Sequence, residues 1–197
     1  MQGSKIRLSP AEAALFCDAQ VILTKNTIIQ KTIQLLEEVQ QNLLQEMPSF
    51  FKAASPSPKI SKGENYLSLP YVILDYPRIA KDNNLFFIRS MFWWGNFYSS
   101  TLQISGKYQT AYLDQLSNAY EQLTAQNYFV GINKDPWVHH FKADNYQSIG
   151  ALSKNAFRVV LEESSHIKIA AHWPLHQWEE AANNLVRSGK ALAGLVA

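Results

Sequence analysis

The sequence predicts an α+β protein in which helices cover one face of a mainly antiparallel sheet. The first observation is the aromatic-rich run of residues 66–104, whose apolar segments have strand length and are separated by turn residues. The second is the dipeptide Gly95-Asn96 inside this run, which favours a two-residue hairpin turn. The third is the helical spacing of apolar residues on either side of the run.

Helix signals dominate the N-terminal part of the chain. Ser9, Pro10 and Glu12 combine an N-cap serine, a proline at the first helical position and a glutamate at N3, so we expect a helix from Pro10. After a break near residues 24–27, an apolar stripe follows over Ile29–Met47. The segment 53–65 is rich in proline, serine, lysine and glycine, which indicates a flexible loop.

The remaining elements are read from period and turn chemistry. A three-stranded meander is predicted over Leu69–Tyr76, Leu85–Trp94 and Phe97–Ile104. Gly106 then precedes a helix at Lys107–Ala125 and a short strand at Tyr128–Ile132, and residues 133–153 lack a clear period. A second hairpin is predicted from Phe157–Glu163 and Ile167–Trp173, and a closing helix begins at Pro174.

The predicted hairpin turn also sets a register. A two-residue turn pairs Trp94 with Phe97, which places Trp93 and Arg89 on the more apolar face of the meander. We expect that face to contact the helices. Because an ionised arginine on a buried face needs a partner, Asp75 in the first strand is its predicted counter-ion.

The composition indicates one domain in the cytoplasm. A chain of 197 residues with 47% hydrophobic residues suffices for a single substantial core. Its 18 basic and 16 acidic residues form no basic run, so no nucleic-acid partner is expected. There is no apolar run of signal-peptide or membrane-span length, so we expect no membrane contact. The single cysteine, Cys17, allows no internal disulfide.

Six residues of the aromatic run form the candidate ligand site. The arginines suit a carboxylate or phosphate, because a guanidinium donates two parallel hydrogen bonds, and aromatic side chains at a sheet end suit a planar ligand. The alternatives are an internal salt bridge for the charged residues and a core or subunit interface for the aromatic ones. The six residues are Asp75, Arg78, Arg89, Trp93, Trp94 and Tyr98.

No motif in the sequence fixes a chemistry. His172 and Glu162 are the candidates for a base and its orienting carboxylate, but no nucleophile motif accompanies them. The glycine patterns that bind phosphate are missing. His172 and His176 have the spacing of a metal-ligand pair, yet Pro174 lies between them, so we expect neither a metal nor another cofactor.

These observations favour a noncatalytic binding or assembly module over an enzyme. Its partner is an unknown small molecule or protein, and part of the helical stripe Ile29–Met47 suits pairing with a second copy in a homodimer. A small hydrolase or isomerase that uses His172 and Glu162 is the alternative. Stacking of single-stranded nucleic acid on the aromatic residues is a third hypothesis, for which the charge distribution provides no basic groove.

Overall fold

The computed structural model describes residues 5–47 and 57–196. Over these ranges the helices are α1 (Pro10–Cys17), α2 (Ala19–Glu46), α3 (Lys107–Asn118), α4 (Tyr120–Ala125), α5 (Lys154–Glu163) and α6 (Ala181–Gly194). The strands are β1 (Lys59–Tyr66), β2 (Leu69–Lys81), β3 (Asn84–Trp93), β4 (Phe97–Ser105), β5 (Phe129–Gly131), β6 (Tyr146–Ser148) and β7 (His166–Pro174). Two short 3₁₀ helices, Ile149–Ala151 and Leu175–Glu180, precede α5 and α6.

The strands form one antiparallel sheet in the order β1-β2-β3-β4-β7-β5-β6. Strand β7 lies inside the sheet because it has a strand partner on both sides. It pairs with β4 along its whole length. On its other side, β5 pairs only with Ile169 and Ala170. The predicted α+β class with a mainly antiparallel sheet is therefore confirmed.

Helices α2 and α6 cover one face of the sheet, which we call the helix face. The buried residues of α2 include Leu36, Val39 and Leu43, whose spacing of three and four places them on one side of the helix. The predicted apolar stripe of α2 is thus used to cover the chain's own sheet. The strand residues in the same core include Val72, Leu74, Phe86, Ile88, Phe92, Tyr98, Leu102 and Ile104.

The register of the central hairpin differs from the prediction. Trp93, not Trp94, pairs with Phe97, and the turn contains three residues, with Gly95 at a φ of 70°. Because side chains alternate between faces, this one-residue shift regroups the side chains of β3 relative to those of β4. Arg89 and Trp93 consequently lie on the second face, away from the helices. The prediction that they contact the helices is wrong.

The predicted second hairpin is also corrected. Residues Lys154–Glu163 form helix α5, so the strand predicted at Phe157–Glu163 is wrong, whereas Ile167–Trp173 lies within β7 as predicted. The helix begins because the Ser153 side chain accepts a hydrogen bond from the Ala156 amide. Its inner side buries Phe157 and Leu161, which are four residues apart. That spacing is helical and outweighs the β-branched residues between them.

The N-terminal boundaries show one confirmed and two revised predictions. The Ser9 hydroxyl accepts from the Glu12 amide and the Glu12 carboxylate accepts from the Ser9 amide, which completes the predicted capping box. The helix break lies at Asp18, which caps α2 through the Gln20 amide, instead of near residues 24–27. Of the predicted loop 53–65, residues from Lys59 onward form β1, and residues 53–56 lie outside the described ranges.

None of the described helices has both the length and the apolar character needed to span a membrane.

Two adjacent leucines of α2 test the packing of the helix face. Leu43 is 1% exposed and touches α6, where a Cβ added to Gly189 would lie 3.0 Å from a Leu43 methyl group. We expect Leu43→Ala to lower the free energy of unfolding by about 2–5 kcal/mol, because the close-packed site loses contacts and gains a cavity. Urea denaturation followed by circular dichroism measures this change.

The matched control is Leu44→Ala, since Leu44 is 36% exposed on the same helix. We expect this substitution to cost well under half as much as Leu43→Ala. Equal losses for the two variants would contradict the described orientation of α2.

Candidate functional site

The second face of the sheet is covered by the segment between β5 and β6, residues 132–145, which we call the covering segment. At one end of this face the cover is aromatic. Phe141 of the covering segment meets the Phe97 ring edge-on at 5.1 Å and stacks on Tyr146 at 4.4 Å. Met91 and Trp93 belong to the same cluster. This part of the face is therefore a second, smaller apolar core.

Next to this core lies the ion pair that the sequence predicted. Asp75 and Arg89 are register partners on β2 and β3. The Arg89 Nε donates to Asp75 Oδ1 at 2.7 Å, and Nη2 donates to Oδ2 at 2.8 Å. Both side chains are about one-tenth exposed. Asp75 is thus confirmed as the counter-ion, and the guanidinium uses two of its donor groups inside the chain.

A histidine of the covering segment completes the coordination of Arg89. The remaining guanidinium nitrogen, Nη1, lies 3.1 Å from His139 Nε2. Because arginine can only donate, Nε2 is the acceptor and the neutral ring carries its proton on Nδ1. Burial, with additional repulsion from Arg89 and Lys168, lowers the pKa of His139 to about 3. The ring is therefore neutral at physiological pH.

Lys168 holds the covering segment from β7. Its side chain is buried, donates to the Val138 carbonyl and lies 4.9 Å from the Tyr146 ring centroid. Burial lowers the pKa of Lys168 to about 8, against the opposing attraction of Asp135. A Cβ on Gly131 would lie 2.9 Å from the Lys168 Cβ, so glycine is needed where β5 passes this side chain. Arg89 and Lys168 together fix the covering segment to the sheet.

The predicted aromatic ligand site does not form one surface. Trp93 is buried on the second face and donates its indole N–H to the Tyr66 carbonyl. Tyr98 is buried on the helix face, where it stacks on Trp173 and donates to the Gln177 carbonyl. Trp94 is half-buried at the turn, beside the start of α2. The sheet therefore separates these aromatic residues, and only Trp94 borders a surface groove among them.

Arg78 lies on the second face, because its register partner is Phe87. Its partner Phe87 is two residues from Arg89 on β3, and an irregularity in β2 separates Arg78 from Asp75. Neither Arg78 nor Arg89 lines any of the surface cavities described below. The structure thus favours an internal role for Arg89, which was the alternative to ligand binding.

The structure does not bring the two catalytic candidates together. Glu162 lies on α5 and accepts a hydrogen bond from Arg158 Nε at 2.6 Å. His172 lies on β7 among aromatic rings, with its own ring 4.2 Å from that of Phe141. Over residues 5–47 and 57–196, no hydrogen bond or ion pair joins Glu162 to His172. This arrangement offers no support for the hydrolase or isomerase hypothesis.

A different region carries a feature that the sequence did not reveal. Helix α1 has no buried residue, and a set of large apolar side chains in α1 and at the start of α2 is between 40% and 82% exposed. We call this set, together with the preceding leucine, the N-terminal apolar surface. Its members are Leu8, Leu15, Phe16, Val21, Ile22 and Leu23.

A groove adjoins this surface. Its volume is about 380 Å³, and its walls include Val21, Thr24 and Ile28 of α2 together with Trp94 of the hairpin turn. Cys17 is exposed, is the last residue of α1 and directly precedes Asp18, which lines the groove. The sequence pattern alone could not distinguish this surface from core, because apolar residues at helical spacing are equally typical of a buried helix.

Comparisons of the chain with protein-family models, with curated proteins and with solved structures give no match.

The pKa of His139 leads to a test of the network on the second face. The unfolded chain binds a proton on this residue below pH 6.5, whereas the folded chain does so only near pH 3. The free energy of unfolding therefore decreases as the pH falls through this window, by up to about 1.4 kcal/mol per pH unit. We expect His139→Gln, which keeps an acceptor for Arg89, to remove about 2 kcal/mol of the loss between pH 7 and pH 5.

Urea unfolding of both proteins at the two pH values measures this difference. The interval between pH 7 and pH 8 is the control, because His139 is mostly neutral there in both the folded and the unfolded state. Parallel pH profiles for wild type and variant below pH 6.5 would contradict the buried, neutral state of His139.

Proposed function

We propose that the protein is a noncatalytic assembly module that forms a homodimer through the N-terminal apolar surface. The observation that carries the proposal is helix α1, which is rich in apolar residues and buries none of them in the described part of the chain. Phe16 is 82% exposed and Leu15 57% exposed. Exposed apolar residues that occur singly are ordinary, whereas six of them within residues 8–23 support an interaction site.

The size of the surface agrees with an interface between proteins. Its six apolar side chains present on the order of 400 Å² to solvent. A standard interface buries about 800 Å² on each partner, and somewhat more than half of that is apolar. The N-terminal apolar surface therefore supplies about the apolar area that one side of such an interface needs.

Self-complementarity supports a second copy as the partner. One chain presents both projecting side chains, Leu15 and Phe16, and an adjacent apolar groove lined by Ile28 and Trp94. A two-fold axis lets the projections of each chain enter the groove of the other, so that one patch serves both subunits. Trp94, one of the aromatic residues singled out in the sequence, would then contribute to the interface.

The charges around the surface fit a protein partner better than a membrane or a polyanion. Glu12 is bound to the Ser9 amide, and Lys25 is paired with Glu64. Because these two charges are satisfied within the chain, the apolar groups are the main source of binding energy around Leu15, Phe16 and Val21. An interfacial membrane helix would instead carry a strongly basic polar face.

Substitution of Phe16 tests the proposal directly. We expect the wild-type protein to elute in size-exclusion chromatography with a light-scattering mass of twice 22.4 kDa at micromolar concentration. Phe16→Glu places a charge in the apolar contact and should give a monomer with an unchanged circular dichroism spectrum. The matched control is Val159→Glu on α5, where the replaced side chain is also apolar and 38% exposed. It should remain dimeric.

Cross-linking through Cys17 provides a second measurement, because it is the only cysteine. If the two-fold axis passes near the end of α1, a short bismaleimide should join two chains covalently, and Cys17→Ser should abolish the product. A monomeric wild-type protein, or a Phe16→Glu variant that remains dimeric, would refute the proposal.

A further inference from the structure

A second cavity lies at the edge of β7, far along the chain from the N-terminal apolar surface. It lies between the end of β7, the middle of α6 and residues 126–128, and its volume is about 610 Å³. This volume falls within the range of about 300–1,000 Å³ that is typical of sites for small molecules. The cavity is therefore large enough to hold a compact organic ligand.

One wall of the cavity is an incomplete sheet edge. Strand β5 pairs with β7 only at Ile169 and Ala170, so in the described part of the chain Ala171–Trp173 have a strand partner only on the β4 side. These residues line the cavity. An unpaired strand edge presents backbone N–H and C=O groups. The wall thus offers hydrogen-bonding groups as well as the half-buried ring of Trp173.

The opposite wall carries the charge. Arg187 is the only ionised side chain among the described lining residues, which contain no aspartate or glutamate. Within residues 5–47 and 57–196, its guanidinium makes one hydrogen bond, from Nη2 to Asn184 Oδ1 at 2.9 Å, and forms no salt bridge. A guanidinium has five N–H donors, so four remain for solvent or a ligand. Arg187 is exposed and also borders a neighbouring groove. The excess positive charge in the cavity selects for an anion.

Two hydroxyl groups lie beside the arginine. Tyr128 Oη and Ser188 Oγ are 2.8 Å apart and buried, and both residues line the cavity. One hydroxyl proton is used in the bond between them, and the other is left to donate elsewhere. Burial raises the pKa of the Tyr128 hydroxyl, and the hydrogen bond with Ser188 and the charge of Arg187 partly oppose this rise. The guanidinium and this hydroxyl pair together present several hydrogen-bond donors at one end of the cavity.

We infer that this cavity binds a small organic anion, a carboxylate or a phosphate monoester with a planar apolar portion. Arg187 and the Tyr128–Ser188 pair hold the anionic group, because charge-assisted hydrogen bonds from a guanidinium suit both kinds of oxyanion. Trp173 contacts the planar portion, since this residue lines the opposite wall. Benzoate and phenyl phosphate are the two probes, and neutral benzamide is the reference compound.

Isothermal titration calorimetry of the full-length protein tests this inference. We expect at least one of the two anionic probes to bind, and benzamide to bind more weakly. Arg187→Gln should weaken the anion by roughly tenfold or more and leave benzamide unchanged. The matched control is Lys190→Gln on the same helix, which removes one positive charge that does not line this cavity and is paired with Glu46. It should bind as wild type does.

A second variant keeps the test decisive if the arginine also affects folding. Ala191→Phe fills the cavity from α6 and should abolish binding of every probe, with an unchanged circular dichroism spectrum. A preference for benzoate over phenyl phosphate, or the reverse, identifies the anion. The inference is overturned if neither anion binds, if benzamide binds equally well, or if Lys190→Gln weakens the anion as much as Arg187→Gln does.

Discussion

The pairing of Trp93 with Phe97 across the turn between β3 and β4 is the constraint on which the architecture depends. Side chains alternate along a strand, so this single pairing assigns alternate residues of β3 and β4 to opposite faces. The neighbouring ladders extend the assignment to β2 and β7. Apolar residues such as Ile88 and Leu102 meet the helices, and Arg89 is turned toward the covering segment.

This assignment gives each buried charge of the second face a partner. Arg89 has both the Asp75 carboxylate and His139, and Lys168 has the Val138 carbonyl. Removing charges from water is expensive, so such a network contributes more to a defined conformation than to net stability. Its effect here is to fix a covering segment that lacks helix and strand over 132–145. Fixing a connection of this length costs conformational entropy, which the network and the aromatic core beneath Phe141 offset.

The sequence allowed the local features to be predicted, because their causes are local. The Ser9–Glu12 capping box involves neighbouring residues. The Asp75–Arg89 pair joins two strands, but a charge within a predicted strand was enough to indicate that a counter-ion was needed. The turn at Gly95 was predicted in the right place with the wrong number of residues. A dipeptide such as Gly95-Asn96 suits turns of two or three residues, and the choice between them depends on the packing of both faces.

Other features required the tertiary structure. The segment around Phe157 combines β-branched residues with a helical spacing, so propensity and period disagree, and contacts with the rest of the fold decide in favour of α5. His139 and Lys168 are far apart in sequence and meet only because the covering segment crosses β7. Leu15 and Phe16 are residue types that usually occur in a core. Only the structure shows that α1 has no core to join.

Among the described α-helices, only α1 has no buried residue, and this has a physical consequence. The helix face is covered by α2 and α6, and the second face by residues 132–145, whereas α1 relies on its capping box and eight residues of its own. A helix of that length is marginal in water without tertiary contacts, even when it is capped. The contacts that stabilise it would come from a second chain in the proposed dimer. Ordering of α1 and assembly would then be linked, because each chain would stabilise the helix that the other one binds.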